Sequence, residues 1–181
     1  MSTIRTLLFQ NGPADEVISS VDVATAFLQA AAYGPDERVR YVTFDGKTYQ
    51  LLGPIYGQRS ASKAWFVTLR TWLLSQGYSE GKNEPCVFVK DGFRVVIYVD
   101  DMICRGTEKQ TAAFYKALEK KFKIKDPERL TDDHPLRFLG FDIRKDKDVY
   151  SMDQEDAVRR LLEEVELPMG EVESPMPRAK S

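Results

Sequence analysis

The stretch Arg94-Val95-Val96-Ile97-Tyr98-Val99-Asp100-Asp101-Met102-Ile103-Cys104 sets two adjacent carboxylates between two runs of apolar, β-forming residues. Two carboxylates side by side repel, and burial deepens the cost because charge leaves water. A two-residue turn ordinarily takes Asn-Gly or Asp-Gly rather than Asp-Asp. Something must offset the repulsion. Solvent at an exposed hairpin tip is one answer, and a divalent cation held by the oxygens is the other. The tandem alone does not choose between them.

Working outward, a β-rich run from Val17 to Val23 reads as a strand that ends near Asp22. Runs at 39–44 and 48–52 flank Asp45-Gly46-Lys47, a hairpin signal because Asp-Gly tolerates positive φ. Ser60 or Ser62 can cap a helix whose Trp65, Leu69, Trp72 and Leu73 share one face, with Gly77 placed to end it. That aromatic stripe reads as core. Residues 86–90 and 93–99 form a second hairpin around Asp91-Gly92. Thr107 and Gln110 suit a capping box, and Phe114, Ala117, Leu118 and Phe122 give the next helix its apolar face. A strand follows at 137–143. A last helix starts at Asp153 with Val158, Leu161, Leu162 and Val165 on one side, and the proline-bearing stretch from Pro168 reads as a flexible tail.

Leaving out the hairpin at 39–52, the order is β-α-β-β-α-β, the ferredoxin-like α+β arrangement with helices on one face. The first and third strands, 17–23 and 93–99, are then expected side by side at the centre. Asp22, Asp100 and Asp101 would converge at one rim. Oxygen-only ligands suit Mg2+, and two such ions on shared carboxylates support nucleotidyl transfer.

The 181 residues carry 26 Lys plus Arg against 28 Asp plus Glu, a net charge of −2. This counts against nucleic-acid affinity spread over the whole surface and leaves a local basic groove open. The apolar fraction of 43% supports a real core. Cys86 and Cys104 form no C-x-x-C pair and His134 is the single histidine, which argues against zinc and for two free thiols in a reducing compartment. No apolar run is long enough to span a bilayer.

Tyr98-Val99-Asp100-Asp101 resembles the Y-x-D-D box of reverse transcriptases. Residues 21–28, Val-Asp-Val-Ala-Thr-Ala-Phe-Leu, are similar to that family's D-V-x-T-A-F-L segment. Residues 56–66, from Tyr56-Gly57-Gln58-Arg59 to Ala64-Trp65-Phe66, resemble the Y-G-L-K-Q-S-P-R-A-W segment of copia-type retrotransposons. Glu84-Pro85-Cys86-Val87-Phe88 is similar to D-P-C-L-F/Y, and residues 138–143 to F-L-G-I-x-I. Five motifs in family order, over about residues 17 to 167, are highly specific together.

The resemblance implies a reverse transcriptase palm, an RNA-directed DNA polymerase acting on an RNA or DNA template with primer and deoxynucleoside triphosphates. It implies Mg2+, with Mn2+ as a substitute, held by Asp22, Asp100, Asp101 and the carbonyl of Val23, with Asp101 the more peripheral acid. Phe27 would be the steric gate against a ribose 2′-hydroxyl, against a plain core reading for its ring. Tyr56 and Gly57 would line the nucleotide pocket, and Arg59 would meet template or phosphate. Leu139 and Gly140 would form the primer grip, and Lys123 or Lys125 would donate a proton to the leaving pyrophosphate. The implied partition is a fingers remnant or linker over 1–14, a palm over 15–150 with a partial fingers hairpin near 39–52, a connecting or thumb-initial helix over 151–167, and a tail over 168–181. Further fingers, thumb and ribonuclease H portions would belong to a parent polyprotein, within a cytoplasmic, nuclear or virus-like-particle setting and without a membrane.

Ser60-Ala61-Ser62 replaces the family's Q-S-P, which bears on template grip. It motivates an alternative, a domesticated palm that binds RNA or protein without catalysis. A ferredoxin-like nucleotidyl cyclase would explain the acids but neither Tyr56-Gly57 nor Phe138-Leu139-Gly140.

Overall fold

The structure is a computed structural model that describes residues 15–34, 37–147 and 149–164. Strand β1 (Glu16–Asp22) leads through a short 3-10 helix (Ala26–Gln29) to the hairpin of β2 (Arg40–Phe44) and β3 (Lys47–Leu51). Helix α1 (Ala61–Ser75), β4 (Ser79–Glu80), β5 (Val87–Lys90), β6 (Phe93–Tyr98) and β7 (Asp101–Thr107) follow. Then come α2 (Glu108–Glu119), β8 (Glu128–Arg129), β9 (Leu136–Phe138), β10 (Phe141–Asp146), β11 (Val149–Asp153) and α3 (Glu155–Glu164).

The main sheet is antiparallel in the order β4-β5-β6-β7-β1-β8. Within it β8-β1-β7-β6 is the ferredoxin-like order for β1, α1, β6, β7, α2, β8. The expected fold class therefore holds, but with different strands in three of its four places. The neighbour of β1 is β7, not 93–99. The fourth strand is the two-residue β8, not 137–143. Residues 137–143 are not one strand: Leu139 and Gly140, both at positive φ, fold them into a β9–β10 hairpin in a separate sheet with β11.

Local chemistry fixes the connections. Asp45-Gly46 and Asp91-Gly92 hold positive φ at both turn positions, as a tight primed turn requires. Ser60 stands at the N-cap of α1 without a side-chain cap bond. The helix ends in a Schellman arrangement, with Gly77 at φ +84, its N–H donating to the Leu74 carbonyl and that of Tyr78 to Leu73. Thr107 and Gln110 form the capping box of α2. Helix α3 begins at Glu155 rather than Asp153, whose carboxylate accepts from the Glu155 N–H. The tail from Pro168 and Val165 lie outside the described residues.

Both faces of the sheet are covered, by different partners. Helices α1 and α2 bring Trp65, Leu69, Leu73, Phe114 and Leu118 onto Val21, Val95, Ile97 and Met102. The opposite face packs Ile18, Val96 and Ile103 against Leu136, Phe138 and Ile143 of the β9–β10 hairpin. A buried charge cluster is paired: Glu16 Oε2 accepts from Arg105 Nε at 2.8 Å and pairs with Arg94 at 3.4 Å. Cys104, fully buried beside the Tyr115 hydroxyl that donates to Ser19 Oγ at 2.7 Å, has its thiol pushed up to about 12 by burial. Cys86 is exposed, and neither thiol is bonded to the other.

Gly106 marks where the first core is tightest. A Cβ there would overlap the ring of Phe93 and stand 3.0 Å from Gln110 Oε1 of the capping box. Phe93 is buried, so the added Cβ requires its ring to shift. Gly106→Ala is expected to cost about 2 kcal/mol through overpacking, read as a lower urea midpoint with an unchanged slope. An unshifted midpoint would show that the ring yields.

Candidate active site

Asp22 is the last residue of β1, and the antiparallel register sets it directly opposite Asp101, the first residue of β7. The two carboxyl groups stand close enough to interact. Asp100 and Val99 form the two-residue loop between Tyr98 and Asp101. By alternation along the strands, Asp22 and Asp101 lie on the same face as Ile18 and Ile103, away from the helices. There they line a cavity of about 260 Å³ with Ser20, Lys125, Glu128, Arg137 and Phe138.

The loop is tied from two sides. The Val23 N–H donates to the Asp100 carbonyl at 2.9 Å, and the Trp65 indole N–H donates to the Val99 carbonyl at 2.7 Å. The segment after α2 runs beside the end of β1. Ala24 N–H donates to Lys123 O at 3.0 Å, Val23 bridges Ile124, and Lys125 N–H donates to Asp22 O at 2.9 Å. The Gln29 amide brackets this junction, donating to the carbonyls of Ala24 at 2.6 Å and Lys123 at 2.9 Å and accepting from Lys123 N–H at 2.6 Å.

This pairing separates the two lysines. Lys125 Nζ lies 3.0 Å from Asp22 Oδ1, and that hydrogen bond, with the surrounding acids, raises its pKa. Lys123 meets the site through its backbone. Asp101 is pushed above the usual aspartate range, first by burial, then by the charges of Asp100 and Asp22, with Lys125 opposing. Among the described residues no three Asp, Glu, His or Cys side chains gather closely enough to hold a metal ion in this conformation.

The remaining candidates form two further groups. Phe27 stacks obliquely on Tyr56, with ring centres 4.8 Å apart, and also packs on the core. Gly57 takes φ +89 in the same loop, which Gln58 braces by accepting from the Tyr33 hydroxyl at 2.6 Å. Arg59 is exposed and joins none of these groups through a described contact. Leu139 and Gly140 form the β9–β10 turn, next to Arg137 and Phe138 at the cavity with Asp22. Sequence reasoning missed Gln29 and the polar end of Trp65. A Gln after an apolar run and a Trp on a core stripe carry no signal of a backbone partner.

The raised pKa of Asp101 has a stability consequence. A carboxyl that holds its proton more tightly folded than unfolded destabilises the fold progressively as pH rises from the ordinary aspartate value through the raised one. Asp101→Asn removes that penalty. Its melting temperature in chelator at neutral pH is expected to rise by up to about 3 °C, allowing for solvent screening, and its pH slope to flatten. A lower melting temperature would show that the Asp22–Asp101 contact is net stabilising.

Comparison with known proteins shows the family and the fold. The family described as reverse transcriptase (RNA-dependent DNA polymerase) matches residues 1–177. The retrovirus-related Pol polyprotein from transposon TNT 1-94 of Nicotiana tabacum is 32% identical over 141 residues, covering 70% of this chain and 10% of that protein. The Pol polyprotein from transposon RE2 of Arabidopsis thaliana is 31% identical over 71% of the chain and 9% of its own length. This chain thus spans about a tenth of these relatives. A foamy viral protease-reverse transcriptase, solved in complex with RNA/DNA hybrid, shares the fold with a TM-score of 0.55 at 17% identity, over 85% of this chain and 20% of that one. Among the described residues no helix is long and apolar enough to cross a membrane. The chain belongs to the reverse transcriptase family, and its relatives are the Pol polyproteins of copia-type retrotransposons.

Proposed function

We propose that this chain is the palm of an RNA-directed DNA polymerase that adds deoxynucleotides to a primer, with Asp22, Asp100 and Asp101 as its metal-binding carboxylates. The carrying observation is the face-to-face pairing of Asp22 with Asp101 at the helix-free rim, with Asp100 in the adjoining turn. The donor chemistry fits magnesium or manganese. All the donors are hard oxygens, and the Asp101 pKa is raised first by burial and then by the charges of Asp100 and Asp22, with Lys125 opposing. In this conformation a third ligand requires side-chain rotation at the turn. When bound, two divalent ions supply charge neutralisation at the transferred phosphate and favour an ionised primer hydroxyl.

The chain's own residues supply position and selectivity. The Val23 carbonyl adds an oxygen beside the acids. Lys125, whose ammonium already stands at Asp22, is the proton donor to the leaving pyrophosphate in preference to Lys123. Phe27, braced by Tyr56, presents a ring to the sugar and disfavours a 2′-hydroxyl, while Gly57 gives the nucleotide close access to backbone. Arg59 meets template or phosphate, and the Leu139–Gly140 turn meets the primer end. The β2–β3 hairpin belongs to the fingers, α3 begins the connection toward a thumb, and the parent polyprotein supplies the rest.

The non-catalytic alternative draws on the lack of a gathered three-acid cluster among the described residues. Metal titration separates the two. Mg2+ or Mn2+ at a hundredfold over its dissociation constant stabilises the fold by about 2.7 kcal/mol. The polymerase reading requires a melting shift that is lost in Asp22→Asn. A chain that melts identically with and without either cation favours the binding module.

Primer extension with either cation is expected to vanish in Asp100→Asn, and wild-type extension by that variant would reject the assignment. Phe27→Val is expected to raise ribonucleotide relative to deoxynucleotide incorporation by roughly tenfold or more, the scale of a removed steric contact. An unchanged ratio would leave Phe27 a core residue only.

A further inference from the structure

Val99 is a β-branched residue at φ +56, the first position of the two-residue loop that carries Asp100. Asp100 is absent from the positive-φ residues, so the loop has the pattern of a type II′ turn. That first position is ordinarily glycine, because a β-branched side chain is strained there. Strain of this kind persists only where the surroundings over-determine it. The turns at 45–46 and 91–92 carry Asp-Gly and the β9–β10 turn Leu139-Gly140, each with a glycine, whereas Val99-Asp100 has none.

The surroundings here are two hydrogen bonds to successive carbonyls of the loop. One comes from the Val23 N–H, the backbone of the segment that bears Asp22. The other, 2.7 Å long, comes from the indole N–H of Trp65. Trp65 is fully buried, in edge contact with Phe122 at 5.1 Å between ring centres. Its ring is fixed by the core, so its N–H stands at a fixed place against the loop. The second bond is thus a rigid tie from α1 across the core to the tip of the hairpin, and α1 begins in the loop that holds Tyr56 and Gly57.

We infer that Trp65 is a positioning residue, whose indole N–H holds the Val99–Asp100 turn in its strained form and so sets where the Asp100 carboxylate stands. It touches neither nucleotide nor ion and acts through the turn. The inference deepens the polymerase reading, and its catalytic consequence rests on that reading, while its structural content does not.

Trp65→Phe in the full chain keeps an aromatic ring in the core and removes the donor. Two measurements are needed. Amide hydrogen exchange at Val23, whose N–H donates to the turn, and at Asp101, which closes it, is expected to quicken at least tenfold, with Leu69 and Leu73 of α1 unchanged. Single-nucleotide incorporation is expected to lose at least tenfold in kcat, with the deoxynucleotide KM held within twofold. Adding Val99→Gly to Trp65→Phe is expected to restore at least a third of the lost rate, since glycine holds positive φ unaided. General core damage would speed exchange along α1 and would not be rescued at Val99. Unchanged exchange at the turn overturns the inference, as does a lost rate that glycine fails to recover. A wild-type chain that extends no primer removes the polymerase reading instead, and the exchange comparison alone then decides the tie.

Discussion

The structure turns on the antiparallel register between β1 and β7. Seven consecutive pairs run from Glu16 opposite Thr107 to Asp22 opposite Asp101. A slip of one residue would move Asp22 to the helix-covered face and Val21 to the cavity. The register is held at its far end by the buried Glu16–Arg105 pair and along its length by Val21 and Met102 in one core and Ile18 and Ile103 in the other. Like charges face each other at the near end because apolar burial on both sides of the sheet leaves the strands no other alignment.

Around that register the molecule divides its labour by face. The helices bury one side and fix the rigid elements, including the Trp65 ring. The other side is only partly covered by the β9–β10 hairpin, and the cavity with Asp22 and Asp101 opens where that cover stops. Strand β8 reaches only Ser19 and Ser20 of β1, so the end of β1 is flanked by the 123–125 segment instead of by a longer strand. That segment brings Lys125 to Asp22.

Much of this was legible in the residues. Asp45-Gly46 and Asp91-Gly92 announced their hairpins, Thr107 with Gln110 its capping box, and Gly77 the end of α1, because each depends on local chemistry. Strand β7 was legible only as the apolar run Met102-Ile103-Cys104, for a physical reason. Its alternation is broken by Arg105, buried with Glu16 among its partners, and by Gly106, where a side chain would meet a ring from another strand. The two polar residues of β8 carry no pattern, so 137–143 took its place in the expected sheet, and the break at Leu139 was hidden because leucine seldom holds positive φ. The family motifs named the three acids but not their arrangement. That Asp101 rather than Asp100 faces Asp22 across the strands, and that Lys125 rather than Lys123 meets it, depends on register alone.

The two sulfur atoms illustrate how unevenly the sheet exposes its chemistry. Cys104 is sealed in the helix-side core, and burial raises its thiol pKa. Cys86 lies just before β5 and is open to solvent. An alkylating probe in water therefore finds its accessible attachment point at Cys86, whose carbonyl accepts from the Ile97 N–H at the end of the sheet that bears Asp101, so a fluorophore or spin label there reports on the neighbourhood of the acidic rim.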